Sequence, residues 1–130
     1  CLLSRGLGDV YKRQVLNTPT DYGNSYPIGQ CTWGVKEMAP WASNWWGNAN
    51  TWAINAGAQG YATGNVPVAG AIAVWDGGEY GHVAYVTDVQ SDSSIQVLEA
   101  NYNRQKQINN YRGYFNPNEF MGGVTYIYPN

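Results

Sequence analysis

The chain has 130 residues, 44% of them hydrophobic and only 12% charged, which fits one globular domain around one core and excludes a disordered polymer. From Val15 onward four basic residues stand against eight acidic ones, so the body lacks a cationic surface for a phosphate backbone, and nucleic acid is not an expected partner. No apolar run approaches the roughly 18 residues needed to span a bilayer, so membrane insertion is not expected either.

The first fourteen residues, "CLLSRGLGDVYKRQ", hold three of the seven basic residues and follow neither helical nor strand periodicity. They lack an initiator Met and read as a non-native leader, similar to translated adapter read-through in metagenomic gene models. A genuine tail is the alternative. Residues 15–25, "VLNTPTDYGNS", are polar and rich in turn formers and read as a linker. The domain then occupies residues 26–130. Setting the leader aside removes Cys1 and leaves Cys31 without a partner for an intramolecular disulfide.

From Cys31 the run "CTWGVKEMAPW" predicts a short helix ending near Pro40, because proline disfavours helical backbone in the residue before it. A Trp-rich loop follows. Asn50 or Thr51 is placed to cap a second helix through "TWAINAGAQ", stopped by Gly60. Beyond it the hydrophobic period becomes two. "GAIAVWD", "GHVAYVTDV", "SIQVLEANY", "NNYRGYF" and "GVTYIYP" read as strands separated by Gly, Asn, Asp and Ser. Helices first and antiparallel strands after predict an α+β domain.

Three positions could carry chemistry. Cys31 falls at the start of a helix, where free N–H groups and partial positive charge favour the thiolate, the reactive form. The same thiol would also serve as a small buried hydrophobe. His82, the only histidine of the chain, begins a strand after Gly81. The alternation puts it on one face with Ala84 and Val86, and puts Val83 and Tyr85 on the other. Glu99 and Asn101 lie two apart in "SIQVLEANYN" and hence on one face of the next strand. A carboxylate in such an apolar run is costly to bury without a partner. His82 is one partner it could have, with its tautomer fixed as the third member of a triad fixes it. Exposure at the strand end is the alternative for Glu99.

"YPIGQCTWGV", "WGNANTWA", "VPVAGAIAVW", "GHVAYV" and "VLEANYN" together resemble the successive motifs of the CHAP domain, the cysteine- and histidine-dependent amidohydrolase/peptidase family. The likeness covers about residues 24–130 and is greatest to the CHAP domain of streptococcal secreted cell-separation hydrolases. It implies a papain-like fold, with N-terminal helices packed on a curved antiparallel sheet of about five or six strands and the site in the cleft between them. It implies Cys31 as nucleophile, His82 as general base, Glu99 as the acid that orients the histidine and Asn101 as a further amide of the set. Gln30 would contribute to the oxyanion site. Trp33, Trp45, Trp46, Tyr80 and Tyr102 fall near these elements and are candidate contacts for glycan or stem peptide, although a small domain also needs aromatic mass for its core.

The activity implied is hydrolysis of an amide bond in bacterial peptidoglycan, as an endopeptidase in cell separation or wall remodelling. The alternatives are N-acetylmuramoyl-L-alanine amidase action or a catalytically silent wall- or glucan-binding module. Some phage-lysin CHAP domains carry an aspartate-rich calcium loop ahead of the cysteine. Here "TDYGNSYPIGQC" offers only Asp21, short of the oxygen ligands calcium takes, so no metal and no cofactor is expected. We expect a secreted, wall-associated protein that is monomeric as an isolated domain. It would be the C-terminal catalytic part of something longer, whose missing N-terminal region could meet a regulatory partner.

Overall fold

The computed structural model of the chain describes residues 23–130. The leader, and the linker as far as residue 22, lie outside them. Helix α1 spans Cys31–Met38 and α2 spans Trp52–Ala58, with a 3₁₀ turn at Ala49–Thr51 leading into α2. Five strands follow: β1 Thr63–Gly64, β2 Ile72–Trp75, β3 His82–Ser91, β4 Ser94–Leu98 and β5 Val124–Ile127. They form one antiparallel sheet in the order β1-β5-β2-β3-β4. The α+β class holds.

Helix α1 ends where Pro40 requires it. Ala39 leaves the helical region, at φ −126° and ψ 79°. Its buried side carries Cys31, Gly34 and Val35, together with Lys36, whose ammonium folds back to donate to the carbonyls of Pro40 and Ala42. The capping expected of Asn50 or Thr51 is not what starts α2. The Thr51 hydroxyl donates to the Trp46 and Asn48 carbonyls at 2.7 and 2.8 Å, and the Asn50 amide reaches across to the Glu79 carbonyl. Both residues stitch loops together, and the 3₁₀ turn supplies the helix entry.

Both faces of the sheet are covered, which is why β2 reads as a continuous apolar run. Ile72, Val74, Val83 and Ile127 pack under the helices with Val35, Trp46, Trp52 and Tyr61. Ala73, Trp75, Ala84, Val86, Ile95, Val97 and Tyr126 form a second core beneath Phe115, Phe120 and Met121. The alternation predicted along β3 is the one observed.

One predicted strand is absent. The backbone of residues 109–115 pairs with β4 and its continuation only through bridges at the two ends, Glu99 with Asn109 and Ile95 with Phe115. Four steps of chain separate Ile95 from Glu99, while six separate Asn109 from Phe115. The two surplus residues leave the ladder, helped by Gly113 at φ 62°. Arg112 lies in that excursion. The two-residue strand β1, too short to show a period, was not legible in the sequence.

Candidate active site

Two close approaches place the site. Helix α1 crosses onto the chain that follows β4, where a side-chain carbon added to Gly34 would lie 2.9 Å from Ala100 Cβ. Gly81, at φ 75°, is so near the Trp75 carbonyl and the Asn50 N–H that its added Cβ would lie 2.6 and 2.7 Å from them. Only glycine fits there, and the residue it releases into β3 is His82. The N-terminus of α1, the start of β3 and the end of β4 therefore meet at one end of the sheet.

Cys31 is a free thiol in the first turn of α1, with its side chain at the floor of a cleft and 8% of the residue exposed. His82 is its hydrogen-bonding partner. The other side of the imidazole meets Glu99, with Nε2 2.8 Å from Oε1. An ionised carboxylate only accepts, so Nε2 donates to it and Nδ1 is the nitrogen left for Cys31. Glu99 is wholly buried. Its second partner is Arg112, whose Nε donates to Oε2 at 2.9 Å and whose Nη2 donates to Oε1 at 2.6 Å.

Charge follows from these contacts. Burial alone disfavours a charged imidazole, but the hydrogen bonds to Cys31 and Glu99 and the attraction of both outweigh it, and His82 rises from 6.5 to about 9. Burial likewise opposes ionisation of Glu99. Hydrogen bonds from His82 and Arg112 and the attraction of the guanidinium prevail and hold this carboxyl below its ordinary range.

The cleft has a volume of about 730 Å³. Tyr26, Pro27, Gln30, Thr32, Asn48, Tyr80, Asn101 and Met121 line it around Cys31 and His82. Asn101 makes no hydrogen bond to His82. The strand ends at Leu98, and Asn101 has a left-handed backbone at φ 59°, so the shared face expected for Glu99 and Asn101 does not form. Its amide instead donates to Gln30 Oε1 at 3.2 Å and accepts from Lys106 Nζ at 2.9 Å.

The aromatic candidates separate. Tyr80 is exposed on the cleft wall. Trp46 is a core residue at 2% exposure, set edge-on to Trp52 and Tyr61, with its indole N–H held by Gln59. Trp33 packs against that same core, and neither tryptophan lines the cleft. Trp45 is exposed away from the cleft lining. Tyr102 is stacked on Tyr111 and covered by the Arg112 guanidinium. Arg112 is the residue sequence reasoning passed over. The signal available was a lone basic residue in an aromatic run, "NYRGYF".

A five-stranded antiparallel sheet with helices on one face, a thiol on a helix start, a histidine on a strand and a buried carboxylate behind it is the arrangement that cysteine–histidine hydrolases use. The family model described as the CHAP domain matches residues 21–101, and the chain belongs to the CHAP family. It is 58% identical over 109 residues to a Streptococcus mutans serotype c protein named "Putative hydrolase", covering 82% of this chain and 52% of that one. It is 44% identical over 101 residues to the N-acetylmuramoyl-L-alanine amidase sle1 of Staphylococcus aureus, covering 74% of this chain and 30% of the relative. A solved N-acetylmuramoyl-L-alanine amidase from Staphylococcus aureus superimposes with a TM-score of 0.69 at 30% identity, over 81% of this chain and 32% of that one. The chain thus spans about half the length of the first relative and about a third of the other two.

Proposed function

We propose that this protein hydrolyses an amide bond of bacterial peptidoglycan through a Cys31 thioester. The observation that carries the reading is the continuous contact from Cys31 to His82 to Glu99 at the floor of an open cleft. In the mechanism His82 holds the proton taken from Cys31, and the sulfur attacks the carbonyl carbon. The C–N bond breaks as the imidazolium gives its proton to the leaving amine. Water, deprotonated by His82, then attacks the thioester and frees the thiol. The Cys31 backbone N–H and the Gln30 side chain are the proposed oxyanion donors. With Oε1 of Gln30 already taken by Asn101, its Nε2 is the free end. Asn101 and Lys106 thus orient the donor rather than the histidine, and Tyr80 is the proposed aromatic contact for substrate.

Two relatives named N-acetylmuramoyl-L-alanine amidases favour the bond between the muramic lactyl group and L-Ala. Endopeptidase action is the second reading, favoured by the likeness of the sequence motifs to streptococcal cell-separation hydrolases. Either bond lies outside the cell membrane, so the protein would act as a secreted, wall-associated enzyme.

Digestion of purified streptococcal and staphylococcal peptidoglycan, with mass spectrometry of the released pieces, tests the reading. The chain should release fragments, and Cys31→Ala should reduce release by about 10⁶-fold. Stem peptides freed at an L-Ala amino terminus identify an amidase, and cuts within stem or bridge identify an endopeptidase. Wall binding with no thiol-dependent release would sink the proposal and leave a binding module.

A further inference from the structure

Glu99 is wholly enclosed, and the carboxylate shares its Oε1 between two donors, His82 Nε2 and Arg112 Nη2. Its other oxygen takes Arg112 Nε. The two parallel donors of the guanidinium fix the plane of the carboxylate, a geometry that a point charge such as an ammonium does not impose. The Glu99 backbone is pinned as well, by paired hydrogen bonds with Asn109, three residues before the arginine. Arg112 in turn sits among four rings, with its guanidinium carbon 3.9 Å from the centroid of Phe115, 4.1 Å from Phe120, 4.5 Å from Tyr102 and 5.4 Å from Trp75. Two of these rings, Trp75 and Phe120, also pack on the His82 imidazole. The cage replaces the water a cation would otherwise hold, and it fixes the guanidinium and the imidazole against common walls.

We infer that Arg112 is a positioning residue of this site, which keeps Glu99 an acceptor-only carboxylate aimed at His82 Nε2 and thereby selects the tautomer that faces Cys31 with Nδ1. The inference deepens the reading of the Cys31–His82–Glu99 set and rests on it. A carboxyl buried among these rings without the guanidinium keeps only the His82 hydrogen bond and loses the two from Arg112 with its charge, which moves it toward the protonated form. Once protonated it can donate to Nε2. The imidazole then carries its own proton on Nδ1, pointed at the thiol, and cannot take a second one from it. The error is the wrong-tautomer failure known for a triad whose acid is made into an amide. Among the described residues, the titratable or charged groups that meet at this cluster are Cys31 from α1, His82 from β3, Glu99 after β4, and Arg112 and Tyr102 from the flanking chain segments.

Because His82 is the only histidine, ¹⁵N-histidine labelling of the full chain reports this one ring. Nitrogen shifts give tautomer and titration directly, whatever the substrate. The unmodified protein should show an Nε2-protonated neutral ring after titration near 9. Arg112→Met should lower the His82 midpoint by at least one pH unit and move the neutral ring toward the Nδ1-protonated form. Arg112→Lys, which keeps charge but not the fork, should fall between. Free guanidinium added to Arg112→Ala should return the midpoint part of the way. Should the Met variant fail to fold, judged by near-ultraviolet circular dichroism, the Lys variant carries the same test. An unchanged midpoint and tautomer in a folded variant would overturn the inference while leaving thiol-dependent wall hydrolysis standing. Absence of thiol-dependent muropeptide release by the unmodified chain, with the variant shifts observed as expected, would instead count against the proposed function.

Discussion

The two sides of the histidine are built from opposite materials. Toward the cleft lie Cys31, Gln30, Asn101 and Tyr80, where amides bond to one another and to a surface lysine. Behind it lie Glu99 and Arg112, closed off by Trp75, Tyr102, Phe115 and Phe120. The wet side can rearrange around a polymer at little cost. On the dry side each charge depends on the next, because an unpartnered charge there has no water to turn to. The proposed mechanism thereby keeps substrate recognition and proton handling in different dielectric surroundings.

The most severe way to break the dry side is Glu99→Gln. The shape is kept but the guanidinium is left buried without its counter-charge, so unfolding free energy should drop by about 3–5 kcal/mol. Turnover should fall by about 10³–10⁴-fold, as expected when an imidazole loses the acid that fixes its tautomer. Asn101 is engaged by Gln30 and Lys106 and should not rescue it. Muropeptide release and urea unfolding measure the two effects separately.

A comparable loss of stability without a specific loss of chemistry is expected from Trp46→Ala. This core indole packs on Trp52 and Tyr61, and its removal should cost about 3–5 kcal/mol. Release per folded molecule should be unchanged, when measured well below the variant's melting temperature.

Acidity sharpens the comparison next. A group whose folded value is raised contributes fully below its unfolded value, and the contribution disappears as the pH climbs through the folded one. For His82 the window runs from 6.5 to about 9. Stability should decline by about 3 kcal/mol across it. Glu99, held low, contributes above its ordinary value of 4.5 and loses that contribution as the pH falls through its depressed folded value. Urea midpoints between pH 3 and 10 should therefore be highest between these two limbs. In Cys31→Ala the alkaline limb should shift to lower pH, since part of the His82 elevation comes from Cys31.

Tyr80→Ala should produce the smallest change and the cleanest contrast with Trp46. Stability should stay within about 0.5 kcal/mol, because the ring is exposed on the cleft wall. The expected effect is a KM for soluble muropeptides raised several-fold with kcat nearly kept. A kcat effect as large as that of Glu99→Gln would mean that the wet side is as tightly coupled as the dry one.

By itself the sequence determined the α+β class, the α1 boundary at Pro40, the alternation of β3 and the positions of Cys31, His82 and Glu99. Each is written locally, in a proline, in a period of two, or in a polar residue that an apolar run does not otherwise tolerate. Tertiary structure decided the rest. Only the register between β4 and residues 109–115 reveals two surplus residues, and those two turn an apparent strand into the excursion that brings Arg112 to Glu99. Only packing shows that Trp46 belongs to the core and Tyr80 to the cleft, since aromatic composition is the same for both tasks. The left-handed turn at Asn101 and its bond to Gln30 likewise depend on where the chain after β4 meets α1. The physical reason is common to all three. A local pattern records which face a side chain takes, while a pairing between distant segments depends on register, and one residue of slip moves every side chain to the other face.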